Sequence, residues 1–87
     1  MVYKVSLIIP AWNAAKTIKD CILSAIKAKN SPCEIVVVDD CSTDKTVEVI
    51  KDLMKLYPVI KLIELKKNLG PAAARDHGVD VSKGDLI

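Results

Sequence analysis

An α/β fold built on a parallel sheet is predicted by three observations on this chain of 87 residues. Its apolar periodicity switches repeatedly between short β-branched runs and longer stretches with helical spacing. The connections between them are short. One run, Glu34-Ile35-Val36-Val37-Val38-Asp39, is apolar almost throughout. A strand with one wet face alternates apolar and polar residues, whereas a strand covered by helices on both faces does not. The expected order is strand, helix, strand, helix, strand, helix, strand, a Rossmann-like βαβαβαβ arrangement in one small domain or part of one.

Each element has a local reason. Residues 4–10, KVSLIIP, form a β-branched run closed by Pro10. From Ala14 to Lys29, Ile18, Ile22, Ala25 and Ile26 make a helical face, with Asn13 as the expected N-cap. After the second strand, Ser42 or Thr43 is placed to cap the next helix, with Asp44 in its first turn beside the positive end of the dipole. Val47, Ile50, Leu53, Met54 and Tyr57 supply that helix's buried stripe, and Pro58 closes it. Residues 59–65 include Lys61 and Glu64, which suits a strand near a sheet edge. Asn68-Leu69-Gly70 reads as a turn, and Pro71 fits the first position of a third helix. Ala72, Ala73, Ala74 and Gly78 let that helix approach the sheet closely. Lys83-Gly84 is expected to end it, and Asp85-Leu86-Ile87 to begin a fourth strand.

Composition removes several function classes. With 51% hydrophobic and 28% charged residues the chain has the makings of a core. Its net charge of +2, with lysines scattered among acids, argues against a nucleic-acid partner. No apolar run approaches the roughly 20 residues of a membrane span, and the first residues lack the features of a signal peptide. Cys21, Cys33 and Cys41 show no CxxC spacing, so reduced thiols in a cytoplasmic protein are expected rather than metal ligands.

Ligands of parallel α/β sheets bind outside the carboxyl ends of the strands. Three segments fall there: Pro10-Ala11-Trp12-Asn13, Asp39-Asp40-Cys41-Ser42 and Asn68-Leu69-Gly70. No GxGxxG and no GxxxxGK[ST] occurs, which speaks against dinucleotide and P-loop chemistry. Carboxylates beside an aromatic ring suit a nucleobase and ribose better than bare phosphates, although Asp39 and Asp40 could equally be a polar strand end. A carboxylate only accepts hydrogen bonds. It can therefore receive the N3–H of uracil or the N1–H and amino group of guanine, and it meets a repelling lone pair in cytosine or adenine. Stacking of a base on Trp12 would add about 1–3 kcal/mol. Asp44 reads as a capping residue and His77 as a surface residue, and no Ser or Cys stands in a nucleophile setting.

The segments VSLIIPAWNAAKTIKDCILSAI, EIVVVDDCSTDKTVEVI and NLGPAAARDHG, in this order, resemble the amino-terminal half of the family 2 glycosyltransferases. The resemblance implies the GT-A fold with strand order 3-2-1-4. It implies that Pro10, Ala11, Trp12 and Asn13 line the base pocket, with Trp12 where the family usually has Tyr. Asp40 would contact uracil, Asp39 would lie near the ribose, and Ser42 would belong to the nucleotide-binding set. The turn from Asn68 to Gly70, and Arg75 in the helix after it, would lie close to the nucleotide. Asp76 stands where the family commonly has Asn. The implied activity is inverting transfer of a sugar from a UDP-linked donor to an acceptor. A divalent metal, Mn or Mg, is expected in the full-length enzyme, held by a DxD motif that follows the fourth strand, and no DxD occurs in residues 1–87. Residues 1–87 would thus form a partial nucleotide-sugar-binding domain, inactive alone and inclined to self-associate through a truncated sheet edge. The full-length protein could be peripheral at a membrane. Two alternatives remain at this level: a non-catalytic nucleotide-binding module, and a phosphoacceptor receiver. The receiver places its acidic pair after the first strand and another Asp after the third, where this chain has Asn13 and Asn68.

Overall fold

A computed structural model describes residues 5–27, 34–81 and 85–86. The elements are β1 (Val5–Ala11), α1 (Ile18–Lys27), β2 (Glu34–Asp39), α2 (Thr46–Leu56), β3 (Ile60–Glu64), α3 (Pro71–Val81) and β4 (Asp85–Leu86). β1, β2 and β3 form a three-stranded parallel sheet with β2 in the middle, in a register that aligns Ile9 with Val37 and Val37 with Leu62. The two residues of β4 run parallel to β1 opposite Val5 and Ser6. The expected helix end at Lys83-Gly84, the residues after Lys27 in α1, and Cys33 lie outside the described residues.

All six residues of β2 are buried, as its unbroken apolar run requires. Successive side chains of a strand point to opposite faces. Ile35 and Val37 therefore join Ile18, Ile22, Ile50, Leu53 and Ile60 in a core under α1 and α2. Val36 and Val38 join Ile8 and Ala74 in a second core under α3. The first core is built from large aliphatic side chains and the second from close approach. A Cβ on Gly78 would lie 2.4 Å from Ile8 Cγ2 and 3.1 Å from Val38 Cγ2, so the helix and sheet meet there with no room for a methyl group. The small-residue pattern of α3 has this physical meaning.

Three sequence expectations need correction. α1 begins at Ile18 rather than Ala14, and Asn13 does not cap it. Its φ of 47° is left-handed and its side chain is used elsewhere. α2 begins at Thr46, so neither Ser42 nor Thr43 is its N-cap and Asp44 precedes its first turn. In the buried stripe of α2, Thr46 is fully buried and Val49, not Val47, packs with the core. The two capping errors share a cause: Asn13 Oδ1 accepts the Thr43 N–H and Ser42 Oγ accepts the Asn13 N–H, so both side chains serve the neighbouring loop.

At the amino ends of the strands, on the α3 face, Ser6 Oγ donates to Glu34 Oε1 at 2.6 Å and Lys61 Nζ lies 2.7 Å from Glu34 Oε2. One buried carboxylate thus ties the three strands together. Lys61 remains half-exposed, which keeps the charge pair in contact with water.

Candidate functional site

Asp39 and Asp40 are adjacent and both buried, at 2% and 3% exposure. Strand alternation separates their tasks. Asp39 has the parity of Ile35 and Val37 and points to the α1 face, whereas Asp40 has the parity of Val36 and Val38 and points to the α3 face. Each carboxylate then holds the loop that enters the helix on its own face.

Asp40 holds the entry to α3. Its Oδ1 accepts the Leu69 N–H at 2.7 Å and its Oδ2 accepts the Gly70 N–H at 2.8 Å. Asn68 Nδ2 donates to the Asp40 carbonyl at 3.3 Å. Gly70 has φ 93°, a conformation that other residues adopt at a cost, and its carbonyl accepts the Ala74 N–H of the first helical turn. Pro71 follows as the first residue of α3, where its missing N–H costs nothing.

Asp39 holds the turn after its own strand. Its Oδ1 accepts the Ser42 hydroxyl at 2.6 Å and its Oδ2 accepts the Ser42 N–H at 3.0 Å. The Ser42 Oγ in turn accepts the Asn13 N–H at 2.8 Å. Two further donors follow in sequence. The Ala14 N–H donates to Thr46 Oγ1 at 2.8 Å, and the Ala15 N–H donates to Asp44 Oδ2 at 3.2 Å. Asn13 Oδ1 reciprocates by accepting the Thr43 N–H at 2.8 Å. The hydroxyls and carboxylate of Ser42, Asp44 and Thr46 thus cap, across space, the segment that leads into α1. Asp44 also accepts the Thr46 N–H at 2.9 Å and the Thr46 hydroxyl. That hydroxyl above all, with the N–H groups of Thr46 and Ala15, holds the Asp44 carboxyl below the ordinary carboxylate range, against a smaller opposing effect of desolvation.

Between these two anchored loops lies a groove of about 580 Å³. Three segments contribute equally: Pro10, Ala11 and Trp12 at the end of β1, Asp40, Cys41 and Thr43 after β2, and Asn68, Gly70 and Pro71 at the entry to α3. Trp12 is 56% exposed, an unusual position for the chain's single Trp unless something else covers it. Cys41 is held at φ 61°, also left-handed, with its thiol 3.6 Å from the Lys66 carbonyl. Two non-glycine residues with positive φ, Asn13 and Cys41, therefore flank one groove, which is the kind of backbone strain that collects at binding sites.

Of the residues singled out from the sequence, Pro10, Ala11, Trp12, Asp40 and Gly70 line this groove. Asn13, Asp39 and Ser42 form the hydrogen-bonded wall behind it, and Arg75 is exposed on α3 outside the lining. Asn68, in the turn expected near the nucleotide, lines it as well, whereas Cys41, Thr43 and Pro71 line it without having been singled out as ligand residues. Its neighbours in sequence were the available signal for Cys41. Thr43 gave none, because its place depends on the Asn13 contact. No group of His, Cys, Asp and Glu side chains among the described residues could hold a metal ion. Asp39 and Asp40 diverge to opposite faces and each is engaged by N–H or hydroxyl donors, so they do not fit a metal centre.

In a parallel α/β sheet, a groove at the carboxyl ends of the strands lies where ligands of such folds bind. Comparison makes this specific. The model of glycosyl transferase family 2 matches residues 6–87, and the chain belongs to that family. It is 36% identical over 83 residues to a glycosyltransferase of Haemophilus influenzae, covering 95% of this chain and 33% of that protein. It is similar in structure to residues 1–349 of TarS from S. aureus in complex with UDP, with a TM-score of 0.83 and 31% identity, covering 97% of this chain and 26% of that one. A mannosyltransferase of Pyrobaculum calidifontis, PcManGT, in complex with GDP-Man and Mn2+, gives a TM-score of 0.83 at 28% identity, covering 97% of this chain and 26% of that one. The chain thus spans a third or less of the length of these relatives. The sheet, its helices and their connections match GT-A glycosyltransferases.

Proposed function

We propose that this chain is the donor-nucleotide portion of a sugar transferase, and that the groove takes the uracil and ribose of a UDP-linked sugar. One observation carries the reading: an exposed indole, Trp12, stands at a groove whose lining includes a buried carboxylate, Asp40, held ready by two N–H groups. Each oxygen of that carboxylate has a further lone pair, so it can still accept the imide N–H of a base. Uracil presents such a donor and cytosine does not. Guanine also presents one, and the similarity to a protein in complex with GDP-Man fits the same logic. The Trp12 ring would stack on the base, and the Asp39–Ser42 wall would border the ribose.

In the full-length enzyme β4 would form a full strand beside β1, giving the order 3-2-1-4, and transfer to the acceptor would proceed with inversion. A divalent ion, Mn or Mg, would be held by carboxylates outside residues 1–87, since the described residues do not supply its ligands. Residues 1–87 alone would bind donor without transferring sugar. Their β1 edge, paired with β4 only at Val5 and Ser6 in the described residues, would favour self-association. The cytoplasm, or the cytoplasmic surface of a membrane, fits an enzyme using such a donor. The receiver alternative loses its support with the family match. Calorimetric titration with UDP and CDP tests the reading. UDP is expected to bind more tightly by at least about tenfold, the scale of one hydrogen bond to a charged group exchanged for a lone-pair repulsion. Equal affinities would overturn the assignment of Asp40 as the base reader.

A further inference from the structure

The peptide that carries Trp12 is pinned on both sides by the loop after β2. Before it, the Ala11 carbonyl accepts the Asp40 N–H at 2.8 Å. After it, the Asn13 N–H donates to Ser42 Oγ at 2.8 Å. The second pin depends on Asp39. A serine hydroxyl rotates freely unless its proton is claimed. Asp39 Oδ1 claims that proton at 2.6 Å, while Oδ2 fixes the Ser42 backbone through its N–H at 3.0 Å. With its proton directed at Asp39, the Ser42 oxygen turns its lone pairs outward, where the Asn13 N–H meets one of them. Both oxygens of Asp39 are thus engaged within the loop, and Asp39 itself is 2% exposed. It is poorly placed to grip a ligand and well placed to orient what grips one.

We propose that Asp39 is a positioning residue: acting through Ser42 and the Asn13 N–H, it sets the indole of Trp12 at the spacing from the Asp40 carboxylate that a base needs. The left-handed φ of Asn13, 47°, is held by this pin together with the Thr43 N–H on Asn13 Oδ1. With the backbone pin removed the residue is freer to relax towards ordinary backbone conformations and to carry Trp12 with it. Adjacent acids then have different tasks on one groove, Asp40 facing the ligand and Asp39 aiming the ring.

Trp12 is the chain's single Trp, so its fluorescence reports on this relay without nucleotide present. In ligand-free protein, Ser42→Ala is expected to lower the Trp12 emission anisotropy and raise its quenching by acrylamide. Ser42→Thr, which keeps the hydroxyl, should restore both. Asp39→Asn, close in shape, should give an intermediate change. It provides a second variant should Ser42→Ala fold poorly by far-UV circular dichroism. The affinity arm rests on the nucleotide reading. Ser42→Ala should weaken UDP binding by about fivefold, the scale of one net hydrogen bond. On a Trp12→Ala background it should have almost no further effect, because the relay acts through the ring. Unchanged fluorescence in both folded variants, or an equal loss of affinity with and without Trp12, would overturn the proposal. Failure of the unmodified chain to bind UDP at millimolar concentration would instead overturn the nucleotide reading. The ligand-free fluorescence would still decide the relay.

Discussion

The two ends of the sheet solve the same problem differently. Both bury carboxylates: Glu34 at the amino ends of the strands, Asp39 and Asp40 at the carboxyl ends. Glu34 is met by a cation, Lys61, and a hydroxyl, Ser6. Among the described residues, Asp39 and Asp40 are met by backbone N–H groups and the Ser42 hydroxyl. A lysine cancels the charge it faces, and a half-exposed one does so in contact with water. N–H dipoles hold a carboxylate in place and leave its net charge uncancelled. One end is therefore a neutral clasp across three strands. The other is an anionic rim with lone pairs to spare, a setting that attracts N–H and O–H donors and discourages bare phosphate.

Breaking that contrast gives the largest expected effect. Asp40→Ala leaves the Leu69 and Gly70 N–H groups without their acceptor, and two hydrogen bonds to a charged group at about 1.5–3 kcal/mol each suggest a loss of at least about 3 kcal/mol. Glu34→Gln keeps an acceptor for Ser6 and leaves Lys61 free to turn to water, so its cost should be only about 1 kcal/mol. Urea unfolding of the two variants measures both. Equal losses would mean that the two ends are equivalent and that the rim carboxylate is not the anchor of the α3 entry. The stability cost also means that weakened nucleotide binding by Asp40→Ala is informative only at protein concentrations and temperatures where the variant is folded. Asp40→Asn, with one acceptor retained, is the milder companion.

A smaller effect sharpens the comparison from the middle of the sheet. α3 begins at the rim loop and crosses the sheet at Gly78, against Ile8 and Val38. Gly78→Ala would ordinarily stabilise a helix by about 1 kcal/mol. Here the added methyl group meets Ile8 at 2.4 Å and must push the helix outward, so overpacking of about 1–3 kcal/mol should win and leave a net loss of roughly 1 kcal/mol. Because α3 carries the Gly70 loop, the displacement should reach the groove and weaken UDP binding. The Glu34 clasp, on elements that do not move, should keep its contribution in a double variant with Glu34→Gln. A neutral or stabilising Gly78→Ala would show that the helix has room to spare.

What the sequence disclosed and withheld follows the range of the interactions. β2 was legible because its burial on both faces leaves a contiguous apolar signal, and α3 because Pro71 and its small residues act locally. The groove was legible as three loops at strand ends. The tasks within it were not. Asn13, Ser42 and Asp44 carry the side chains of helix caps at the right spacing for capping their own helices, yet each bonds a segment 29 or 30 residues away. Local propensity cannot distinguish a cap that acts in its own chain segment from one that acts on a neighbour. Nor does a sequence of two adjacent acids say that alternation will send them to opposite faces unless the strand is known to continue to its last residue.

The smallest expected effect concerns Asp44, the exposed strut of the Asp39 side of the rim. Its carboxyl is held below the ordinary range by the Thr46 hydroxyl first and by the N–H groups of Thr46 and Ala15. A group with a lowered folded-state pKa stabilises the fold at pH values above its ordinary pKa, and the stabilisation is lost as pH falls through the lowered value. The ordinary value for Asp is about 3.9, so the contribution is complete near neutrality and should fade only below about pH 4. Asp44→Asn isolates it, because the amide oxygen can still accept one N–H but cannot titrate. At about pH 6 the unmodified chain should be slightly more stable than the variant, and the gap in urea midpoints should close as pH is lowered towards about 2.5. Every other response to pH is common to the two proteins and cancels in the difference. Solvent screening of an exposed group keeps the gap small. Replicate unfolding curves are therefore needed, and a gap independent of pH would show that Asp44 acts by shape alone. A gap that closes only under acid would instead identify the negative charge itself as what ties the entry of α1 to the loop after β2. That would place charge-assisted bonds on both sides of the groove, with Asp40 holding one wall and Asp39 and Asp44 the other.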